Sequence, residues 1–166
     1  CCCCVCSVVP CFLPSFLLSF GLLFLPPPLH NHQVRSKIRQ DERVAVHEQC
    51  DARAINRELL AGHVDLCVMD ASFISARLIL PTLREVLSRE ARLLLLVKPQ
   101  FEVGREHVGK GGLVSDKERI AAAVDQVAAC AVELGFCELG RAPSRLTGAR
   151  AGNTEVFLLV GCPDGC

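Results

Sequence analysis

Two ionisable side chains stand where apolar runs stop. Val64-Asp65-Leu66-Cys67-Val68-Met69-Asp70 ends on a carboxylate, and Leu93-Leu94-Leu95-Leu96-Val97-Lys98 ends on an ammonium group. Short apolar runs bounded by polar groups have the character of strands buried on both faces. The stretch between them, residues 74–89, is long enough for a helix. Strand, helix, strand in that order is a parallel unit with a right-handed crossover. Both strands of such a unit end at one edge of the sheet, so Asp70 and Lys98 are expected side by side at the carboxyl edge, where open α/β sheets bind ligands. A carboxylate beside an amine can hold and orient a polar ligand there.

The elements that must position this pair follow from the rest of the pattern. A short polar helix is expected over residues 33–40, then a strand over 44–47 that stops at Glu48. An acid at the end of a second parallel strand is where nucleotide-binding α/β folds hold ribose hydroxyls, although an ordinary solvated charge reads the same way. Asp51-Ala52-Arg53 and a short helix over 56–60 lead through Gly62 into the central strand. After Lys98 comes a glycine-rich, basic surface loop. Its Gly104 to Lys110 portion fits G-x-x-x-x-G-K, but Gly111 follows where Ser or Thr should ligate magnesium, and no helix begins there. Ser115 with Glu118 forms a capping box for a helix to about Leu134, closed by Gly135. Strands at 136–139 and 156–160 complete the core. Glu155, at the start of the last strand, reads on its own as an exposed edge charge.

Composition excludes several classes. The length of 166 residues suits one domain, and a formal net charge of zero gives no global attraction to nucleic acid or membrane. An RNA partner would meet local basic residues, and without Trp or Tyr any base stacking falls to Phe, His or Arg. The 12 cysteines crowd the first eleven positions or scatter singly, which argues for incidental thiols rather than a disulfide scaffold. A zinc site at Cys1 to Cys6 with His30 and His32 is weak, since no second Cys pair follows at finger spacing. No metal is expected. The apolar run from Cys11 to Leu25 would reach only about 22 Å as a helix, short of the ~30 Å hydrocarbon core, and prolines interrupt it. Residues 1–33 are therefore expected to be a disordered or extraneous leader, with a partial domain over 34–161 and a tail over 162–166.

Four ordered motifs carry a resemblance. Val68-Met69-Asp70-Ala71-Ser72-Phe73-Ile74-Ser75, Val97-Lys98-Pro99-Gln100-Phe101-Glu102-Val103-Gly104, Val108-Gly109-Lys110-Gly111-Gly112, and Thr147-Gly148 with Gly152-Asn153-Thr154-Glu155 together resemble the TlyA, or haemolysin A, branch of the RNA ribose 2′-O-methyltransferases. The resemblance implies an α/β, Rossmann-like methyltransferase fold whose last strand is antiparallel, here truncated at its N-terminal strand. It implies methyl transfer from S-adenosylmethionine to a ribose 2′-hydroxyl of ribosomal RNA. From the family's Lys-Asp-Lys-Glu set it carries the last three members onto Asp70, Lys98 and Glu155. Glu48 and Asp51 fall at its positions for the cofactor ribose and adenine, and Asp70 also faces the donor. The first catalytic Lys, the glycine-rich first strand and loop, and the small N-terminal RNA-binding domain have no counterpart among these residues.

These residue types suit the chemistry. A ribose hydroxyl is a poor nucleophile and loses its proton as it attacks. A lysine accepts a proton only when neutral, and its reference pKa is about 10.4, so acids beside it serve to orient its amine. Lys98 is the candidate base or hydroxyl-steering group, while Arg105, Lys110, Arg145 and Arg150 would meet RNA phosphates. Two other readings compete. One is a non-catalytic RNA-binding or ribosome-associated remnant. The other is a membrane-active protein, for which neither an amphipathic stripe nor a full-length span is present. The expected compartment is cytoplasmic or organellar.

Overall fold

The computed structural model describes residues 3–9, 40–41, 44–45, 47, 50–60, 62–146 and 152–162. Its centre is the parallel pair β2 (Val64–Ser72) and β3 (Leu87–Val97), in register at Cys67 with Leu93 and Met69 with Leu95. Side chains alternate across a strand, and the alternation here is pronounced. Cys67, Met69 and Ala71 of β2 and Ala91, Leu93, Leu95 and Val97 of β3 are buried, while Val68, Asp70, Leu94 and Leu96 are half-buried. The two runs were expected to be buried on both faces. Among the described residues only one face is fully covered, by the helices.

The link between β2 and β3 is less helical than its length suggests. A 3-10 turn at Ala76–Leu78 precedes α1 (Leu80–Val86), and β3 begins already at Leu87. Pro81 accounts for the late start, because proline fits only the first turn of a helix. The early stop reflects pairing of Leu87 with Val64, which draws the following residues into the ladder. Leu80, Leu83 and Val86 still reach the core.

A single turn, α2 (Pro99–Glu102), follows β3, then 3-10 turns at Arg105–His107 and Lys110–Gly112. The long helix α3 spans Lys117–Glu133 and buries Ala123, Val124, Val127, Ala128 and Ala131 along one stripe. Its cap is Asp116 rather than Ser115. The Asp116 carboxylate accepts from the amides of Glu118 and Arg119, and its charge suits the positive end of the helix better than a hydroxyl does. Gly135, at φ +85°, closes the helix as expected.

The sheet is completed by β1 (Cys3–Val9), β4 (Cys137–Pro143) and β5 (Val156–Gly161) in the order β1-β2-β3-β5-β4. β5 runs antiparallel to both β3 and β4, matching the expected antiparallel last strand. β1 pairs antiparallel with β2 from Cys3 opposite Ser72 to Val9 opposite Leu66. It lies inside the leader expected to lack structure. The free edge of β2 supplies the ladder groups that make a strand of it.

Two expected elements do not form. Val44, Ala45 and His47 are not in a strand: the Val44 amide bonds to Asp41 in a turn, and the sheet among the described residues gives this segment no partner. Residues 56–60 make one turn, held by Asn56 to the Leu59 amide, which goes no further because Gly62 sits at φ +143°. The expected helix at 33–40, the run from Cys11 to Leu25 and most of the tail lie outside the described residues. Cys50 and Cys130 are free thiols, but Cys137 is disulfide-bonded, which departs from the expectation of incidental thiols throughout.

The core resolves into a testable number. Leu95 is fully buried at the middle of β3. Leu95→Ala is expected to cost about 3 kcal/mol of folding stability, read from the urea midpoint at unchanged slope. A loss below about 1 kcal/mol would show that this face is not the core.

Candidate active site

Asp70 and Lys98 meet, as the strand–helix–strand pattern requires. Lys98 Nζ lies 2.5 Å from Asp70 Oδ1, and it donates a hydrogen bond to Ser72 Oγ at 2.8 Å. The ladder explains this. Continuing the offset of Met69 with Leu95 brings Ser72 level with Lys98, and Asp70 lies two residues back on the same face. The lysine side chain is only 13% exposed while that of Asp70 is 48% exposed, so the ammonium is held inward and the acid faces outward. Asp70 Oδ1 is buried, and its contact is the ion pair with the Lys98 ammonium.

Glu155 arrives from the other side. β3 and β5 pair Val97 with Val156, so one further step sets Lys98 opposite Glu155 at the same edge. Directly opposed residues share a face, and both are half-buried. The Glu155 carbonyl accepts from the Ser144 amide at 2.8 Å, fixing this strand start against the end of β4. Three separated acids and bases thus converge on one strand edge.

The proposed cofactor acids are placed differently. Asp51 caps the 3-10 turn Ala52–Ala54 and is gripped by Arg53, whose Nη2 lies 2.6 Å from Oδ2. The Arg53 hydrogen bonds hold its carboxyl down at about 2. Glu48 lies outside the described residues, as does Arg150. Arg105, Lys110 and Arg145 are exposed on loops. Among the described residues no group of three or more His, Cys, Asp or Glu could hold a metal ion. No helix there is long and apolar enough to cross a membrane.

A groove of about 660 Å³ opens beyond the ends of β2 and β3, with Arg53, Phe73, Ser75, Gln100, Phe101 and Arg105 in its walls. Phe73 immediately follows β2, takes φ +65° and is 61% exposed. Its ring lies 5.1 Å from that of Phe101, tilted by 46°. A left-handed phenylalanine is uncommon and marks backbone held by its surroundings.

Two buried polar side chains brace the loops here, Glu102 next to the Phe73 turn and Asn153 at the glycine-rich loop, and the sequence reading gave neither a role. Glu102 Oε1 accepts from the Ala76 amide and Oε2 from the Ser75 hydroxyl, each at 2.6 Å, with Arg77 Nε at 3.4 Å. Asn153 Oδ1 accepts from the Val114 amide, and its Nδ2 donates to the Gly112 carbonyl, both at 2.8 Å. Asn153 therefore fastens the glycine-rich loop beside Glu155. The available signal was proximity: Glu102 lies four residues past Lys98 and Asn153 two before Glu155. Ser72 carried a similar signal, two residues past Asp70 and so on the same face.

This fold and edge define an α/β methyltransferase-type domain. Residues 29–161 match the model of the FtsJ-like methyltransferases, and the chain belongs to that family. It is 46% identical over 126 residues to the 16S/23S rRNA (cytidine-2′-O)-methyltransferase TlyA of Mycobacterium tuberculosis, covering 76% of this chain and 47% of that protein. It is 35% identical over 127 residues to Hemolysin A of Brachyspira hyodysenteriae, covering 76% of this chain and 52% of that one. A hemolysin-named structure from Streptococcus thermophilus superposes with TM-score 0.78 at 34% identity, covering 86% of this chain and 50% of the other. The chain spans about half the length of the curated relatives it matches.

Burial pushes the Glu102 carboxyl up, against the pull of Ser75, Ala76 and Arg77. A carboxyl raised on folding binds its proton more tightly in the fold, so its stabilising share is present at low pH and is lost as pH rises. Wild type is expected to lose stability relative to Glu102→Gln as pH climbs from the ordinary glutamate range through the raised value. Urea midpoints of both proteins between about pH 4 and 7 measure this. A difference that shifts in the opposite direction overturns it.

Proposed function

We propose that this domain serves S-adenosylmethionine-dependent methylation of a ribose 2′-hydroxyl in ribosomal RNA. The observation that carries the reading is Lys98, held inward by Asp70 and Ser72 and level with Glu155 across the β3–β5 ladder. The names of the relatives support the substrate class. Bound S-adenosylmethionine would supply an electrophilic methyl group on a cationic sulfur.

The residues fit such a donor. The Asp70 side chain is 48% exposed, and the part of its carboxylate turned away from Lys98 would suit a cationic ligand. Asp51 and Glu48 would take the adenine and ribose ends. For Asp51 this requires sharing its carboxylate with Arg53. Lys98 would steer the 2′-hydroxyl and, in its neutral form, take its proton as the oxygen attacks. Asp70 and Glu155 orient the lysine amine from opposite sides. Phe73 and Phe101 offer apolar rings to a nucleobase, and Arg105, Lys110, Arg145 and Arg150 offer charge to phosphates. Holding hydroxyl and methyl in line supplies much of the rate.

The donor side of this fold depends on a glycine-rich turn where backbone approaches the ligand closely. β2 is flanked instead by β1, whose residues Cys-Cys-Val-Cys-Ser-Val-Val contain no glycine. The 166-residue chain by itself is expected to bind S-adenosylmethionine weakly and to transfer little methyl to ribosomal RNA, acting at most as an RNA-binding domain. Isothermal titration and a tritium-transfer assay test this, and micromolar donor binding with turnover overturns it. In a form extended with the glycine-rich segment, Lys98→Ala is expected to lower turnover at least about 100-fold with donor affinity nearly unchanged. Full activity of that variant removes the role given to Lys98.

A further inference from the structure

The groove walls come from two different chain segments. Phe73, Ile74, Ser75 and Leu78 follow β2, whereas Gln100, Phe101 and Val103 follow β3. These turns are separated by some 26 residues in sequence, and Glu102 joins them. Its side chain is only 2% exposed, and it stands at the end of α2. Both oxygens are used, one by the Ala76 amide and the other by Ser75 Oγ and Arg77 Nε. Hydrogen bonds to an ionised acceptor are short and strong, as the two 2.6 Å contacts are. Ser75 in turn caps the 3-10 turn Ala76–Leu78 by accepting from the Arg77 amide. The chain just upstream holds Phe73 in the left-handed region, a conformation that persists only where neighbours fix both sides. β2 fixes one side, and the Glu102 clamp fixes the other.

Resting on the RNA reading above, we infer that Glu102 is a positioning residue, whose buried carboxylate clamps the turn after β2 onto the turn after β3 and so keeps Phe73 and the groove set for an RNA nucleoside. It touches neither substrate nor donor and acts through Ser75, Ala76 and the backbone leading to Phe73. Glutamine can replace it in part. Its carbonyl accepts from the Ala76 amide, and its amide donates to Ser75 Oγ, although the ionic contact with Arg77 is lost. Alanine removes every bond. A residue that merely filled space would not distinguish the two replacements in this way.

The test uses the full chain with Glu102→Ala, Glu102→Gln and Ser75→Ala. Two quantities are read. One is amide hydrogen exchange at residues 73–78 compared with residues 93–95 of β3. The other is affinity, by anisotropy, for a fluorescein-labelled single-stranded oligoribonucleotide of ribosomal sequence. Glu102→Ala is expected to speed exchange at 73–78 by about tenfold or more with β3 unchanged, and to weaken oligonucleotide binding by about tenfold. Glu102→Gln should restore both to within about threefold, and Ser75→Ala should fall between them. Unchanged exchange at 73–78 in Glu102→Ala overturns the inference. So does an equal rise throughout β3, which would mean a general structural role, and so does local loosening with undiminished oligonucleotide affinity. If the wild-type chain binds no oligonucleotide, the RNA reading fails. The positioning role is then decided by local exchange and its recovery in Glu102→Gln.

Discussion

The parallel ladder between β2 and β3 is the constraint on which the rest of this structure depends. Parallel pairing forces both strands to finish at the same edge. With Met69 level with Leu95, the finish falls at Ser72 and Lys98. A shift of one residue would turn Lys98 to the helix-covered face, where Val97 and Leu95 lie fully buried, and no partner for an ammonium is found among those apolar neighbours. The buried leucines and valines thus set the register, and the register sets which polar groups meet. The chemistry of the edge is a by-product of core packing, stated in side chains that never touch a ligand.

Much of this was legible from residue order. The two apolar runs form strands, the second ending just before Lys98 and the first running two residues past Asp70 to Ser72, and the antiparallel last strand implied by the family motifs appears as well. What the sequence hid has physical causes. The crossover helix is short because Pro81 forbids an earlier start and Leu87 pairs with Val64, an effect of tertiary contact that periodicity cannot display. The segment around Val44 alternates well enough for a strand, yet a strand exists only with a ladder partner, and none is present beside it among the described residues. β1 illustrates the converse: seven residues with little signature became a strand because β2 offered an edge. Asp116 took the cap from Ser115 by standing one residue nearer the helix and bringing a charge.

At the site the division is similar. Asp70 and Lys98 stood out because charges at the ends of apolar runs are conspicuous, whereas Glu155 read on its own as an edge charge and was singled out only by the family resemblance. Glu102 and Asn153 were passed over because a carboxylate or amide in a loop reads as solvated, and only the fold reveals that these two are buried. Their work is architectural. One ties the turn at 75–77 to α2, and the other ties the glycine-rich loop at 112–114 to the residues just before β5. Both polar ends of each side chain have a partner, backbone for Asn153 and backbone, hydroxyl and guanidinium for Glu102, which is the condition under which a buried polar group steadies a loop rather than weakening the fold.

The position of β5 has a consequence for the order of events during synthesis. It is the last of the five strands to leave the ribosome, yet it sits inside the sheet, between β3 and β4. Until it emerges, β4 has no strand to join and the outer edge of β3 stays open. Glu155 and the Asn153 fastening arrive with the same few residues. A nascent chain can therefore fold its β2–β3 half while the edge at Lys98 remains unfinished, and completion of the sheet and arrival of Glu155 at that edge become one event. The half-built intermediate exposes an apolar strand edge for as long as translation of some 60 residues takes, a window of several seconds at ordinary elongation rates. That interval is when this domain is most open to association with other chains, and it closes in the same step that sets Glu155 opposite Lys98.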